Sequence, residues 1–355
     1  MYMKRLVDDL RKMNALYNPL ISITLLLLSI MTTSVSSAES LSPNLSDVTY
    51  YTISGVELKL DLYFPKNTGD DRRPLVVYVH GGAWIGGDKR EGAGFEDIPG
   101  LLSRGYVVAA VNYRLAPMYK FPAQIEDVKC AIRYLRAKAA AYNIDPDRVG
   151  AWGGSAGGHL VALLGVTDKS AGFDAGPYLD QSSRVEAVVD YFGPANLTHG
   201  WSTDQLIPVF GSRDGLVRGS PVSYITKDDP PFLIMHGEFD TVVPPEQSQE
   251  FHDKLKASGV SSTLIMVKNA EHSFRRVGAS IKPSRPEITE TTAAFFDTHL
   301  RGPDLRPRET ATSSSFAKNQ AGPWQPIVTA LVFGALLSSL IIFIVRPRFT
   351  TKWKR

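Results

Sequence analysis

The segment Trp152-Gly-Gly-Ser155-Ala-Gly-Gly158 constrains this chain more than any other. A short apolar run, Arg148-Val-Gly-Ala-Trp152, leads into it, and a helical pattern, His159-Leu-Val-Ala-Leu-Leu164, follows. Strand, Gly-x-Ser-x-Gly and helix, in that order, form the setting of a nucleophile elbow, a turn so tight that the serine backbone is strained and its hydroxyl exposed. Glycines two before and two after the serine, Gly153 and Gly157, let neighbouring backbone pass where a Cβ would clash. The start of the helix favours developing negative charge through its dipole and its free amides. The alternative for a glycine-rich turn here is a phosphate loop. A Walker loop requires Gly-Lys-Ser/Thr, and a dinucleotide turn opens a βαβ unit with an acidic partner downstream; neither pattern fits.

A second motif lies about 75 residues upstream. Leu75-Val-Val-Tyr-Val79 reads as a buried strand from its unbroken apolar run, and it leads into His80-Gly81-Gly82-Ala83-Trp84. Two or three amide donors can converge on one oxygen only where no side chain intervenes. Gly81 and Gly82 permit that approach, and Ala156, just after the serine, offers a third amide. A Gly-Gly hairpin turn is disfavoured because no alternating strand follows.

A serine of this kind takes its partners in the chain order Ser, Asp or Glu, then His. Of seven histidines, only His252, His272 and His299 lie well beyond the candidate acids. His252 falls on the polar amphipathic pattern Glu246–Leu255, and His299 near the end of a last helix. His272 follows the strand pattern Ser262–Val267 in a short loop, where a base can reach the nucleophile, and is the expected base. For the acid, the strand pattern Pro231–His236 runs into Gly237-Glu-Phe-Asp240. Asp240 precedes a helix starting near Pro245 and is the expected carboxylate. Glu238 is its near competitor and Asp190, at the end of an earlier strand, the distant one.

His80-Gly-Gly-Ala-Trp84, Asn112-Tyr-Arg-Leu-Ala-Pro117, Gly153-Gly-Ser-Ala-Gly157 and Gly237-Glu-Phe-Asp240, with His272 later, resemble the α/β-hydrolase superfamily. Within it they are similar to the carboxylesterase and lipase-like group that includes hormone-sensitive-lipase-type and bacterial feruloyl-esterase-type enzymes. The resemblance covers residues 48–300. It implies a serine ester hydrolase acting on short-chain acyl or aryl esters, small or polysaccharide-linked, without cofactor or metal. In that scheme Ser155 attacks, His272 moves the proton, Asp240 orients His272, and the amides of Gly81, Gly82 and Ala156 hold the oxyanion. One departure is Glu271 before His272, where such enzymes often carry glycine; it leaves the pH optimum open. A prolyl-oligopeptidase-type peptidase shares the order of parts but adds a large propeller, for which there is no room here. A silent surface-binding relative usually lacks the serine or the histidine, and both are present here.

The patterning agrees with an α/β fold. Alternating Val56, Leu58, Leu60 and Leu62 suggest an antiparallel leading strand after 48–54. Strands near 75–79, 106–111, 148–152, 185–191, 231–236 and 262–267 then alternate with helices near 122–142, 156–166, 245–258 and 288–300. This predicts a mainly parallel eight-stranded sheet covered on both faces, with at most a small cap over 197–224. Trp84 is expected against the substrate, with Tyr113, Trp201 and Phe274 as further lining, although core filling is as good an account of Tyr113. His80 is expected to brace its loop and His159 to pack or hydrogen-bond.

Both ends suggest a membrane. Residues 1–38 combine Lys4, Arg5, Arg11 and Lys12, an apolar run from Leu20 to Ile30, and small residues at 36–38, the pattern of a signal peptide. Ile327–Val345 is 19 uncharged, mostly apolar residues, long enough to cross a bilayer. Arg346, Arg348, Lys352, Lys354 and Arg355 follow it. The expectation is a C-terminal transmembrane helix with a cytoplasmic tail over 346–355, a flexible linker over 301–323, and the catalytic domain (48–300) outside the membrane. Between these ends, residues 39–323 hold 30 basic and 34 acidic groups, a net of −4, so nucleic-acid binding is not indicated. The single Cys130 falls on a helical pattern as a small core residue and excludes an intrachain disulfide. Asn44-Leu-Ser46 and Asn196-Leu-Thr198 are glycosylation sequons in a eukaryotic secretory setting.

Overall fold

Strand β1 (Leu45–Ile53) turns back into β2 (Val56–Tyr63) through Ser54 and Gly55, both at positive φ. A two-residue turn of that kind matches the twist of the strands that it joins. These residues open a computed structural model that describes 41–66, 71–199 and 203–301. The chain divides into two units, Met1–Arg306 and Pro307–Arg355, and every described residue belongs to the first.

Six further strands follow: β3 (Arg73–Val79), β4 (Val107–Val111), β5 (Ile144–Gly154), β6 (Ala187–Tyr191), β7 (Phe232–Gly237) and β8 (Ser262–Val267). All eight join one sheet in the order β1-β2-β4-β3-β5-β6-β7-β8. β2 runs antiparallel to both its neighbours, and the other pairings are parallel. Helices α1 (Ile98–Ser103), α2 (Ala123–Ala137), α3 (Ala156–Val166), α4 (Ile207–Phe210), α5 (Arg213–Gly219), α6 (Glu246–Ala257) and α7 (Arg285–Leu300) connect or follow the strands.

A parallel strand covered on both faces reads as a continuous apolar run because alternate side chains enter two different cores. In β3, Leu75, Val77 and Val79 join the core under α2, α3 and α6, whereas Val76 and Tyr78 join the one under α1 and α7. Cys130 lies buried on α2, its thiol pushed up to about 11 by burial. The same helix buries two cations, and both are paired. Lys129 Nζ reaches Asp174 Oδ2 at 3.3 Å, and Arg133 Nη1 reaches Asp174 Oδ1 at 2.7 Å.

Three expectations are corrected. The helix expected over 122–142 stops at Ala137, because residues 138–142 turn so that the Ile144 amide bonds Ala139 O at 2.8 Å and β5 can begin. The last helix starts at Arg285, ahead of 288, under a Ser284–Glu287 capping box, a signal readable in Ser-Arg-Pro-Glu. The third correction removes the membrane-spanning helix from the fold class, and with it the membrane partner and the anchored localisation. Among the described residues no helix is long and apolar enough to cross a membrane. Even α7, at 16 residues, falls short of the roughly 20 apolar residues that a bilayer requires. The segments read as signal peptide (1–38), transmembrane helix (327–345) and basic tail (346–355) lie outside the described residues.

Asp190, on β6, is fully buried. Its Oδ1 accepts the Gly193 amide at 2.8 Å, and burial pushes the carboxyl up to about 6. A carboxyl raised in the folded state contributes its stability below the unfolded value and loses it as pH rises through about 6. Asp190→Asn removes that loss. Its unfolding free energy should match the parent near pH 4 and exceed it at pH 8 by about 3 kcal/mol. Denaturant melts at the two pH values measure this, and equal stabilities at pH 8 would contradict it.

Candidate active site

Ser155 sits between the end of β5 and the start of α3 with φ 58° and ψ −121°, a conformation unfavourable to any side chain. Close approach by its neighbours imposes this. A Cβ on Gly153 would lie 2.5 Å from Val79 O, and one on Gly157 only 2.1 Å from the same atom. The Ser155 amide is tied to Tyr191 O on β6 at 2.9 Å. Positive φ recurs around the same cleft at Ala83, Trp84, Phe192, Ser273 and Phe274.

The structure brings the expected base and acid to this serine. His272 Nε2 lies 3.0 Å from Ser155 Oγ, and His272 Nδ1 lies 2.7 Å from Asp240 Oδ2. The carboxylate only accepts, so Nδ1 carries the proton and Nε2 is free to accept from the serine hydroxyl. Asp240 Oδ1 accepts the amides of Val242 and Val243 at 2.8 and 2.9 Å. Burial works to raise the Asp240 carboxyl, but bonds from His236, His272 and the Val243 amide prevail and hold it well below the usual carboxylate range. The competing acids stay apart: Glu238 is exposed, and Asp190 is buried against Gly193. Glu271 accepts from Arg275 Nε at 2.6 Å, so its charge is paired beside His272.

The loop after β3 lies against the serine. A Cβ on Gly81 would meet Gly154 O at 2.9 Å and Ser155 Cβ at 3.6 Å. Gly82 has φ 107°, and a Cβ there would strike Gly86 O at 2.2 Å. Among the described residues, no backbone hydrogen bond takes up the amide of Gly82 or of Ala156. Free amides in a loop beside a serine can donate to an oxyanion. His80 braces the loop: its Nδ1 lies 2.7 Å from Gly81 O and its ring stacks on Tyr113, centroids 4.3 Å apart.

The cleft at Ser155 has a volume of about 470 Å³. Small residues make most of its wall, from Gly81 to Gly92, and Phe192, Val242 and Ser273 complete it. Trp84, expected against the substrate, is instead buried in the core. Its Nε1 donates to His159 Nδ1 at 3.1 Å, and its ring packs edge-on to Phe210. His159 Nε2 meets Gly219 O at 2.6 Å, and burial pushes this imidazole down to about 4, so it stays neutral. Phe274 is also buried, packed on Phe192 and Tyr191; Trp201 lies outside the described residues. Phe192 was not anticipated from the sequence, though its place at the carboxyl end of β6 is where such sheets form sites. It contacts the His272 ring edge-on at 4.7 Å. Among the described residues no cluster of three or more His, Cys, Asp or Glu side chains is arranged to hold a metal ion.

Comparison with known proteins points the same way. The BD-FAE family model matches residues 60–255, more than half of the 355. Esterase LipQ of Mycobacterium tuberculosis is 32% identical over 242 residues, 64% of this chain and 57% of that protein. The isoprenylcysteine alpha-carbonyl methylesterase ICME of Arabidopsis thaliana is 29% identical over 241 residues, 60% and 53% of the two chains. The chain thus spans little more than half the length of the curated relatives it matches. Among solved structures, a truncated carbohydrate esterase from gut microbiota is 30% identical with a TM-score of 0.63, covering 73% of this chain and 96% of that one. The butyrate-bound thermophilic esterase Est2 of Thermogutta terrifontis is 27% identical with a TM-score of 0.62, covering 71% and 93%. Matched by this family over most of its sheet, and by esterase structures over nearly their whole length, the chain belongs to the BD-FAE family of α/β-hydrolase esterases.

Proposed function

We propose that this chain hydrolyses carboxylic esters through an acyl-enzyme, with Ser155 as nucleophile, His272 as general base and acid, and Asp240 as the group that orients His272. The observation that carries this reading is the hydrogen-bonded line from Ser155 Oγ through His272 to Asp240, ending in a carboxylate held by two amides. His272 takes the serine proton as Oγ attacks the ester carbon, and returns it to the departing alcohol. The amides of Gly81, Gly82 and Ala156 receive the charge that develops on the carbonyl oxygen. Water, activated by the same imidazole, then releases the acid.

The substrates proposed are short-chain acyl or aryl esters, free or carried on a carbohydrate. The wall of glycines and alanines leaves room beside the serine, and no residue of 204–224 lines the cleft, so a bulky alcohol portion can extend outward. The similarity to a carbohydrate esterase and to a butyrate-bound esterase favours the same range. Purified protein assayed on nitrophenyl esters of increasing acyl length, acetylated xylan and methyl ferulate tests this. Turnover of none of them would refute the substrate class.

Ser155→Ala should keep the fold and lower kcat by several orders of magnitude, with loss of covalent labelling by a fluorophosphonate. Retained turnover would remove Ser155 from the mechanism. Asp240→Asn should lower kcat roughly 10⁴-fold, as in other triads, and Glu238→Gln should change it little. The reverse ranking in steady-state kinetics would assign the role to Glu238.

A further inference from the structure

The geometry points to His236 as a positioning residue that shares Asp240 Oδ2 with His272 and clamps the turn carrying the acid. This inference rests on the triad reading of Ser155, His272 and Asp240. His236 lies one residue before the end of β7 and is fully buried. Its Nε2 is 2.9 Å from Val243 O and 3.3 Å from Asp240 Oδ2. A carbonyl and a carboxylate only accept, so Nε2 carries a proton and is divided between them. Its Nδ1 is 2.6 Å from Ser248 Oγ, itself buried on α6. In the neutral ring Nδ1 accepts the Ser248 hydroxyl proton, and that bond selects the tautomer that presents N–H to the acid.

Two consequences follow. The Asp240 carboxylate meets four donors: the Val242 and Val243 amides on Oδ1, and two imidazoles on Oδ2. Val243 is also held from both sides, its amide by Asp240 and its carbonyl by His236. The loop 236–240–243 therefore closes on itself and fixes the rotation of the carboxyl group toward His272. His236 also packs edge-on against Phe192, centroids 6.3 Å apart, so the competing account is a ring that merely fills space.

Other charged groups face this cluster. Asp190 on β6 is buried within electrostatic reach of His236. Glu271, paired with Arg275, lies beside His272, and Glu91 lines the cleft. Ser155 and Ser248, from the remaining elements, are neutral. Asp190, Glu271, Glu91 and Ser155 are the same in parent and variants, so their direct action on His272 cancels in a comparison of pH profiles.

The test compares kcat, KM and the pH dependence of kcat/KM for His236→Phe, His236→Gln and Ser248→Ala, alongside Asp240→Asn. Phenylalanine keeps the ring volume and removes both nitrogens; glutamine restores an N–H donor. His236→Phe should lower kcat roughly tenfold or more with KM little changed. It should also move the acid limb of kcat/KM upward by about 0.5 pH unit, because a carboxylate with one donor fewer attracts the His272 imidazolium more strongly. His236→Gln should return the limb toward the parent position, and Ser248→Ala should shift it in the same direction as His236→Phe. A folded His236→Phe whose profile superimposes on the parent overturns the proposal. If that variant does not fold, an unshifted profile in Ser248→Ala overturns it equally. Full activity in Asp240→Asn would instead overturn the triad reading, whatever the His236 variants show.

Discussion

The approach of Gly157 to Val79 is the contact on which the site depends. With only 2.1 Å between a would-be Cβ at 157 and the Val79 carbonyl, β3 and α3 meet where no other residue fits. That contact sets the end of β5, the strained Ser155 and the first turn of α3 against the loop leaving β3. The glycine loop at 81 and 82 then lies beside the serine, braced by the His80 ring and the Tyr113 hydroxyl. Strain of this kind costs about 1–3 kcal/mol per residue, and the covered sheet on either side is what sustains it.

The second half of the site is electrostatic and arrives from β7 and β8. Their carboxyl ends, two and three strands from β5 in the parallel order β5-β6-β7-β8, project Asp240 and His272 back to Ser155. The two buried aspartates nearby show how partners decide the charge of a group. Asp240 gathers two amides and two imidazoles and is held below the usual carboxylate range. Asp190, more deeply buried, has one amide and is raised to about 6. Burial opposes ionisation in both, and the depth of burial together with the number of donors decides the outcome.

Two aromatic side chains show where local reading reached its limit. Trp84 follows the glycine loop directly, and adjacency in sequence suggested that it touches the substrate. In the fold it turns inward, because His159, one turn into α3, offers its Nδ1 and Phe210 its ring face. Phe192, which carried no motif, lies fully buried at the base of the cleft, edge-on to the His272 ring, because β6 ends there.

Residue type and spacing alone determined the order of strands and helices along most of the chain, the elbow at Ser155, the glycine loop, and the histidine and aspartate that meet the serine. These are legible because each rests on a local rule: two-residue alternation, an apolar run, a glycine where a Cβ is forbidden, a histidine in a loop at a strand end. The membrane-spanning helix, read from an apolar stretch and the basic residues after it, has no counterpart among the described residues. What only the tertiary structure decided is which groups meet across the sheet: His236 on Asp240, Trp84 on His159, Phe192 on His272. Such pairs join residues up to 80 positions apart, as Phe192 and His272 are. The register of the strands and the packing of both faces bring them together, and neither is written at any one position.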